Sequence, residues 1–165
     1  MMALEIEHKF LLISDEWRNL VSRAEVFRQG YLSNNPAASV RVRIADNKAS
    51  LNIKGMTIGT HRPEYEYSIP LQDAAELLDQ LCARPIIEKT RHFVEFAGKT
   101  WEIDEFAGEN SGLIVAEVEL NEIGEHFQRP IWAGVDVSGI ERYYNVSLLK
   151  YPYKQWTEAE KTHGA

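Results

Sequence analysis

The sequence predicts a single domain of the α+β class that is mainly β, with seven or eight strands and two or three short helices. Three observations support this prediction. The 165 residues suffice for one substantial core. Apolar and polar residues alternate in many short segments, and the connections between these segments are short, which favours antiparallel pairing. We therefore predict one domain over residues 1–165.

The first part of the chain predicts five strands and one short helix. The strands cover residues 3–13, 24–32, 39–45, 49–55 and 61–70. Ser14 or Asp15 is expected to cap a helix that extends to about Val21. Asp46-Asn47 joins the third and fourth strands in a hairpin, and Pro63 favours the start or an edge of the fifth.

The second part alternates between helix and strand patterns. Apolar residues at helical spacing predict a helix over residues 71–82. This stripe contains Leu71, Ala74, Leu77, Leu78 and Leu81. Strands follow over residues 86–96, 100–106 and 113–120. Beyond them the sequence predicts a short helix near residues 122–128, a strand around 131–137, and a helix or irregular segment over 141–149.

Composition excludes several classes of function. The formal charge of −7 and the pI near 5.3 argue against a dedicated nucleic-acid binder. No apolar run approaches the ~20 residues that span a bilayer, and Glu5 and Glu7 interrupt any signal-peptide pattern. We therefore expect a cytoplasmic protein without a membrane or nucleic-acid partner. Cys82, the only cysteine, excludes an intrachain disulfide and is expected to be a buried, inert thiol.

Like charges recur two residues apart inside the predicted strands. The acidic pairs are Glu5/Glu7, Glu64/Glu66, Glu102/Asp104 and Glu117/Glu119, and the basic pairs are Arg41/Arg43 and Lys89/Arg91. Each pair lies on one face of its strand, within ~7 Å, where the two charges repel each other. In the stretch LEIEHKF, Lys9 shares a face with Glu5 and Glu7. Such faces need either solvent or a ligand that neutralises them.

Two arrangements satisfy this pattern. In the first, the charged faces are the solvated side of an antiparallel sheet, and a partner covers the apolar side. In the second, the strands close into a barrel with a polar interior, which at about eight strands has room for one small ligand. Apolar residues then face outward under the helices, namely Leu4, Ile6, Phe10, Val42, Ile44, Tyr65, Ile103 and Val118.

The composition of the charged sets indicates which ligand a polar barrel would hold. Carboxylates without a cysteine or paired histidine motif suit a hard cation such as Mg²⁺ or Mn²⁺. Arginine and lysine suit phosphate oxygens. An interior with both sets is suited to a metal-chelated polyphosphate.

An ordered series of motifs resembles the CYTH family, also called triphosphate tunnel metalloenzymes. EIEHK matches its ExExK signature, and RQGYL, RVR, NIK, RPEYE, EKTR, WEIDEF and GLIVAEVEL follow in order over residues 3–150. The resemblance implies an eight-stranded antiparallel barrel that forms a tunnel, with short helices outside. The chain looks most like the small bacterial inorganic triphosphatases. One departure is Val146, where relatives often carry a lysine after the asparagine; Lys150 is a candidate substitute.

The resemblance also implies roles for the charged residues. Metal ligands would be Glu5, Glu7, Glu64, Glu66, Asp104, Glu117 and Glu119, with Mg²⁺ or Mn²⁺ as the cofactor. Substrate would be bound by Lys9, Arg41, Arg43, Lys54, Lys89 and Arg91. Catalytic roles are expected for Glu5, Glu7, Lys89, Glu117 and Glu119. Lys89 is either a phosphate ligand or a proton donor or base, Tyr31 is expected to be a packing or rim residue, and no histidine is assigned a role.

The expected reaction is metal-dependent hydrolysis of inorganic triphosphate to diphosphate and phosphate. The alternatives are a class IV adenylyl cyclase, a thiamine or nucleoside triphosphatase, and a polyphosphate-binding module without turnover. Apolar outer faces and four tryptophans make a homodimer a further expectation.

Overall fold

The computed structural model describes residues 4–163, without the side chain of His163. Within these residues nine strands form one antiparallel sheet. They are β1 (Leu4–Leu12), β2 (Val21–Ser33), β3 (Ala38–Ala45), β4 (Lys48–Gly55), β5 (His61–Ser68), β6 (Ile87–Phe96), β7 (Lys99–Phe106), β8 (Ile114–Glu119) and β9 (Ala133–Asp136). The helices are α1 (Leu71–Gln80) and α2 (Glu158–His163). Short 3-10 helices lie at Glu16–Leu20, Gly108–Asn110, Glu141–Tyr143, Ser147–Leu149 and Tyr153–Gln155.

The sheet closes into a barrel of eight strands. The order is β5-β4-β3-β2-β6-β7-β8-β1, and β1 pairs again with β5 through Leu4–Pro63, Glu5–Arg62 and Ile6–His61. β9 pairs with the other end of β1, around Phe10 and Leu12. The predicted mainly β fold and its closed barrel are therefore confirmed, and the open-sheet arrangement is excluded.

Strand alternation determines which residues face the barrel interior. The like-charged pairs of β1, β3 and β5 to β8 face inward with Lys9, Lys54 and Arg62, whereas β2 contributes the uncharged side chains of Phe27 and Gln29. The opposite faces form most of the hydrophobic core, which lies outside the barrel wall. The charges of EIEHK therefore point inward.

Two apolar clusters cover the outer wall, and a third fills one end of the barrel interior. α1 packs Ala74 and Leu78 on Val42. The segment after β8 packs Trp132 and Phe127 on Phe10 and Trp101. The C-terminal segment closes one end of the barrel with Tyr143, Leu148 and Trp156. Of the residues predicted to lie under helices, Leu4 and Tyr65 are instead 46% and 43% exposed.

Several predicted elements differ from the structure. The helix near residues 122–128 is wrong, because this segment is irregular and its Phe127 packs on the barrel. The helix after Asp15 is a 3-10 helix of five residues, and Asp15 makes no side-chain cap hydrogen bond. α1 buries only Ala74 and Leu78, so the predicted apolar stripe is half exposed. α2 had no counterpart among the predicted elements.

The prediction that Cys82 is buried is confirmed. Cys82 is a buried free thiol under α1. Gly30 lets the 82–86 segment approach β2, because a Cβ there would lie 2.8 Å from the Cβ of Cys82. In the part of the chain that the structure describes, no helix is long and apolar enough to span a membrane.

Candidate active site in the charged tunnel

The barrel encloses a polar cavity of about 310 Å³. Its charged lining consists of Glu5, Glu7, Glu64, Glu66, Glu102, Glu117, Glu119, Lys9, Arg41, Arg43, Lys54, Arg62, Lys89 and Arg91. Each predicted site residue except Asp104 lies in this lining. The barrel therefore brings charged residues of seven separate strands into one chamber.

Glu5 lies between two cations at the seam of the barrel. Both its carboxylate oxygens lie 3.0 Å from Nζ of Lys54, and Nε of Arg62 donates a hydrogen bond of 2.9 Å to Oε2. Burial opposes ionisation of Glu5, but Lys54 and Arg62 hold its pKa well below the usual value. Glu5 is therefore ionised.

Glu7 lacks comparable compensation. It is paired across the strands with Glu119, and its nearest cation, Nζ of Lys9, is 3.5 Å away and lies closer to Glu117 at 3.1 Å. Burial and then the charge of Glu117 raise the pKa of Glu7 to about 8, although Lys9 opposes this. Burial and the charges of Glu5 and Glu102 also raise the pKa of Glu119. This end of the cavity has a surplus of negative charge.

A buried triad of charges lies on the neighbouring strands β6 and β7, where Nη2 of Arg91 is also 3.6 Å from Oε2 of Glu117. Asp104 accepts hydrogen bonds from Nζ of Lys89 at 2.6 Å and from Nε and Nη2 of Arg91 at 2.7 and 2.8 Å. Both carboxylate oxygens are thus occupied, and Asp104 lies behind the two cations rather than in the cavity lining. Burial lowers the pKa of Lys89 to about 7, with Asp104 opposing and Arg91 and Arg43 adding to the shift.

Arg41 and Arg43 form no ion pair with any carboxylate among residues 4–163. Arg41 is 4% exposed, and its Nε is buried without a hydrogen-bond partner. Nε of Arg43 donates to Oε1 of Gln29 at 3.0 Å. Burial, Arg41 and Arg91 lower the pKa of Arg43 to about 9. The two guanidinium groups are therefore placed for an anion that the protein itself does not provide.

The sequence predictions gave no role to five residues of this site, although Glu102 was noted as part of an acidic pair. Arg62 and Glu102 share strand faces with predicted residues, so their alternation could have identified them. Phe27 and Gln29 follow the same alternation on β2 but carry no charge; the ring centroid of Phe27 lies 4.5 Å and 4.9 Å from Cζ of Arg43 and Arg91. Asn145 reaches the cavity from an irregular segment, which no periodicity signals.

Three other residues considered as candidates from the sequence lie outside the cavity. His8 faces away from it, with Nδ1 3.0 Å from Oδ2 of Asp136. Tyr31 is a buried packing residue beside Ile87 and Phe106, as expected. Lys150 is exposed and does not contribute to the lining, so it does not substitute there for a lysine at position 146.

The acidic end fits a divalent cation in chemistry and charge. Its donors are carboxylate oxygens, which Mg²⁺ and Mn²⁺ prefer. The raised pKa of Glu7 shows that added positive charge would stabilise the ionised form. Within residues 4–163, however, no three acidic, histidine or cysteine side chains are already arranged as a ligand set.

The fold and its lining define a class of protein, a closed antiparallel barrel with an ionic interior. The chain belongs to the CYTH domain family, whose model matches residues 3–148. The resemblance inferred from the motifs is therefore confirmed.

Two relatives and one solved structure are similar to most of the chain. An inorganic triphosphatase of Acetivibrio thermocellus is 45% identical over 157 residues, which cover 95% of this chain and 100% of that protein. An inorganic triphosphatase of Nitrosomonas europaea is 33% identical over 151 residues, covering 87% and 95%. A crystal structure of an inorganic triphosphatase matches with a TM-score of 0.63 at 30% identity, covering 88% of this chain and 93% of that one.

Proposed function

We propose that this protein hydrolyses inorganic triphosphate to diphosphate and phosphate inside the tunnel, with Mg²⁺ or Mn²⁺ as the cofactor. The observation that carries the proposal is the pair of buried Arg41 and half-buried Arg43, which lie in the cavity wall without a carboxylate partner among the described residues. Buried charge is costly unless it is paired, so a polyanionic ligand accounts for these two residues. The names of the two relatives support the same substrate.

The basic lining is proposed to bind the phosphate chain. Its members are Lys9, Arg41, Arg43, Lys54, Lys89 and Arg91. Arginine can grip phosphate oxygens bidentately, and lysine acts as a point charge. These side chains would also stabilise the negative charge that develops on the diphosphate leaving group.

Lys89 is proposed first as a phosphate ligand. Because its pKa is about 7, it is partly neutral near neutral pH and can also accept or return a proton. Asp104 holds Lys89 and Arg91 in place through both carboxylate oxygens, so we propose it as their counter-ion instead of a metal ligand.

The acidic end is proposed to hold the divalent cation. Its ligands would come from Glu5, Glu7, Glu117 and Glu119, with Glu64 and Glu66 beside them in the same lining. A bound cation supplies a Lewis acid for phosphate oxygens and lowers the pKa of a water molecule. The four carboxylates would orient that chemistry towards the phosphate chain in the basic half of the cavity.

Release of phosphate and diphosphate from inorganic triphosphate, ATP and thiamine triphosphate tests the proposal. The assay is run with Mg²⁺, Mn²⁺ or EDTA, and cyclic AMP is measured from ATP. We expect metal-dependent turnover that strongly favours inorganic triphosphate. Cyclic AMP as the main product would show that the protein cyclises ATP and is not a triphosphatase. Tight triphosphate binding without turnover would indicate a binding module.

Two further features belong to the proposal. We propose that the protein acts in the cytoplasm, where its single cysteine stays reduced. We also propose a homodimer, because Leu71 of α1 and Leu81 just after α1 are exposed and leave apolar surface uncovered. Light scattering of the purified chain measures the mass directly, and a mass near 18.9 kDa would refute the dimer.

A further inference from the structure

Asn145 enters the cavity from the C-terminal segment and not from a barrel strand. This segment is tied to β1, because the backbone N–H of Val137 donates to the carbonyl of Lys9 at 2.8 Å. Asn145 then lies between the 3-10 helices Glu141–Tyr143 and Ser147–Leu149. Its side chain contributes to the cavity lining beside Lys89 and Arg43.

A chain of hydrogen bonds fixes the orientation of the Asn145 amide. Nε of Arg43 donates to Oε1 of Gln29, whose Nε2 donates to Oδ1 of Asn145 at 2.7 Å. Nζ of Lys89 donates to the same Oδ1 at 3.2 Å.

With Lys89 protonated, both ends of this chain are groups that can only donate. Arg43 therefore requires the oxygen of Gln29 on its side, and Lys89 requires the oxygen of Asn145 on its side. Neither amide can be flipped without placing two donors against each other. The two cations therefore determine which atom donates and which accepts in each of these hydrogen bonds.

With Oδ1 accepting from Gln29 and Lys89, the two hydrogens on Nδ2 remain available. No described residue accepts a hydrogen bond from Nδ2, and Nδ2 is not among the buried polar atoms without a partner. It is therefore accessible from the cavity. Its neighbours Lys89 and Arg43 are donors, so the protein offers it no acceptor at this wall.

We propose that Asn145 is a substrate-contacting residue, whose Nδ2 donates a hydrogen bond to a phosphate oxygen of the bound triphosphate. This inference rests on the proposed function and adds a residue to it. An uncharged donor suits this position because Arg41, Arg43 and Arg91 already crowd the wall with positive charge. A carboxamide adds a hydrogen bond to the anion without adding to that repulsion.

NMR of the intact chain with ¹⁵N-labelled asparagine tests the contact directly. Inorganic triphosphate is added in EDTA, and the Nδ2 resonance is assigned from its absence in Asn145→Ala. We expect this resonance to move as the binding site saturates. Saturation without a change at Nδ2 would overturn the inference and leave the proposed function intact.

Affinity measurements on variants provide the second readout. Hydrogen bonds to charged groups are among the stronger ones, so Asn145→Ala should weaken triphosphate binding about 10- to 100-fold. Asn110→Ala is the matched control, because Oδ1 of buried Asn110 anchors the same C-terminal segment through the N–H of Tyr153 at 2.9 Å, away from the cavity. It should lower the unfolding midpoint and leave affinity unchanged.

The outcomes separate the two proposals. Equal affinity of Asn145→Ala and the unmodified chain would show that Asn145 only anchors the segment. Equal losses in Asn145→Ala and Asn110→Ala would also overturn the contact. An unmodified chain that neither binds nor hydrolyses triphosphate, with or without metal, would overturn the proposed function and this inference with it.

Discussion

Nζ of Lys89 lies 2.6 Å from Oδ2 of Asp104, and both side chains are 1% exposed. The pair is shielded from water, so each charge depends on the other and on Arg91, which shares the same carboxylate. Removing one partner of such a set leaves a buried charge uncompensated.

Asp104→Asn is therefore expected to destabilise the fold by about 3–5 kcal/mol. The measurement is equilibrium unfolding in urea, followed by circular dichroism. Glu88→Gln is the matched control, because Glu88 pairs with Arg28 on the surface at 3.6 Å and should change stability by less than about 1 kcal/mol. Equal effects of the two substitutions would show that the buried pair contributes no more to the free energy of unfolding than a surface pair.

Arg41→Ala is expected to lower kcat/KM for inorganic triphosphate about 10²- to 10³-fold, because it removes a charge that stabilises the leaving group. The fold should tolerate the change, since the buried Nε of Arg41 has no partner to lose. Steady-state kinetics and a thermal melt measure the two effects. Arg28→Ala, which removes a surface arginine, serves as the control; an unchanged kcat/KM in Arg41→Ala would remove Arg41 from the site.

The raised pKa of Glu7 predicts a pH-dependent effect of Glu7→Gln on stability in EDTA. Its pKa rises from about 4.5 in the unfolded chain to about 8 in the folded one, so the folded state binds more protons between these values. The contribution of Glu7 to stability is full below pH 4.5 and is lost as the pH rises towards 8. Gln cannot ionise, so Glu7→Gln should become more stable relative to the unmodified chain as the pH rises from 4.5 towards 8.

Thermal melts of both proteins from pH 5 to pH 8.5 measure this difference, at about 2–4 °C for each kcal/mol. Lys54 and Lys89 have lowered pKa values and act in the opposite direction above pH 7, but they are present in both proteins and largely cancel. A difference in melting temperature that stays constant from pH 5 to pH 8.5 would contradict the raised pKa of Glu7. The exposed Glu109→Gln should show no trend.

Gly30→Ala should destabilise the fold by about 1–3 kcal/mol, because its Cβ would lie 2.8 Å from Cβ of Cys82 and 2.9 Å from Cδ1 of Ile86. Gly139→Ala provides the contrast, since nothing lies within 4 Å of a Cβ at that position. Urea unfolding of the two variants checks the prediction. Equal midpoints would mean that the 82–86 segment moves aside at little cost.

The strands and their inward faces could be predicted because strand alternation is local. A shift of one residue would place Glu5, Glu7 and Lys9 on the apolar face, so the pattern itself fixes the register. The same logic located Arg41, Arg43, Lys89 and the other lining residues of the strands. Closure of the sheet was one of two arrangements that the alternation allowed, and the motif series distinguished them.

The strand predicted around 131–137 is confirmed as β9, but the partners of the charges and the rest of residues 121–163 could not be predicted in this way. Whether Asp104 faces the cavity or lies behind Lys89 depends on side-chain packing across two strands, which no periodicity records. Asn145 lies in a segment held by contacts to distant strands, such as the N–H of Val137 to Lys9. Apolar spacing alone also overstated the buried face of α1, because Leu81 lies beyond the last helical turn and is exposed.

The placement of β1 in the sheet has a consequence for how the chain folds. β2 to β8 pair mostly with sequence neighbours, whereas β1 meets β8 and β5, with Lys9 paired to Glu117 and Glu5 to Arg62. Long-range pairings require larger loops to close and form more slowly than local hairpins. The strand that carries Glu5, Glu7 and Lys9 is thus expected to dock late, and the two charged walls would face each other only when it does. Docking of β1 and acquisition of the ligand-binding capacity would then be a single kinetic event, which follows formation of the local hairpins.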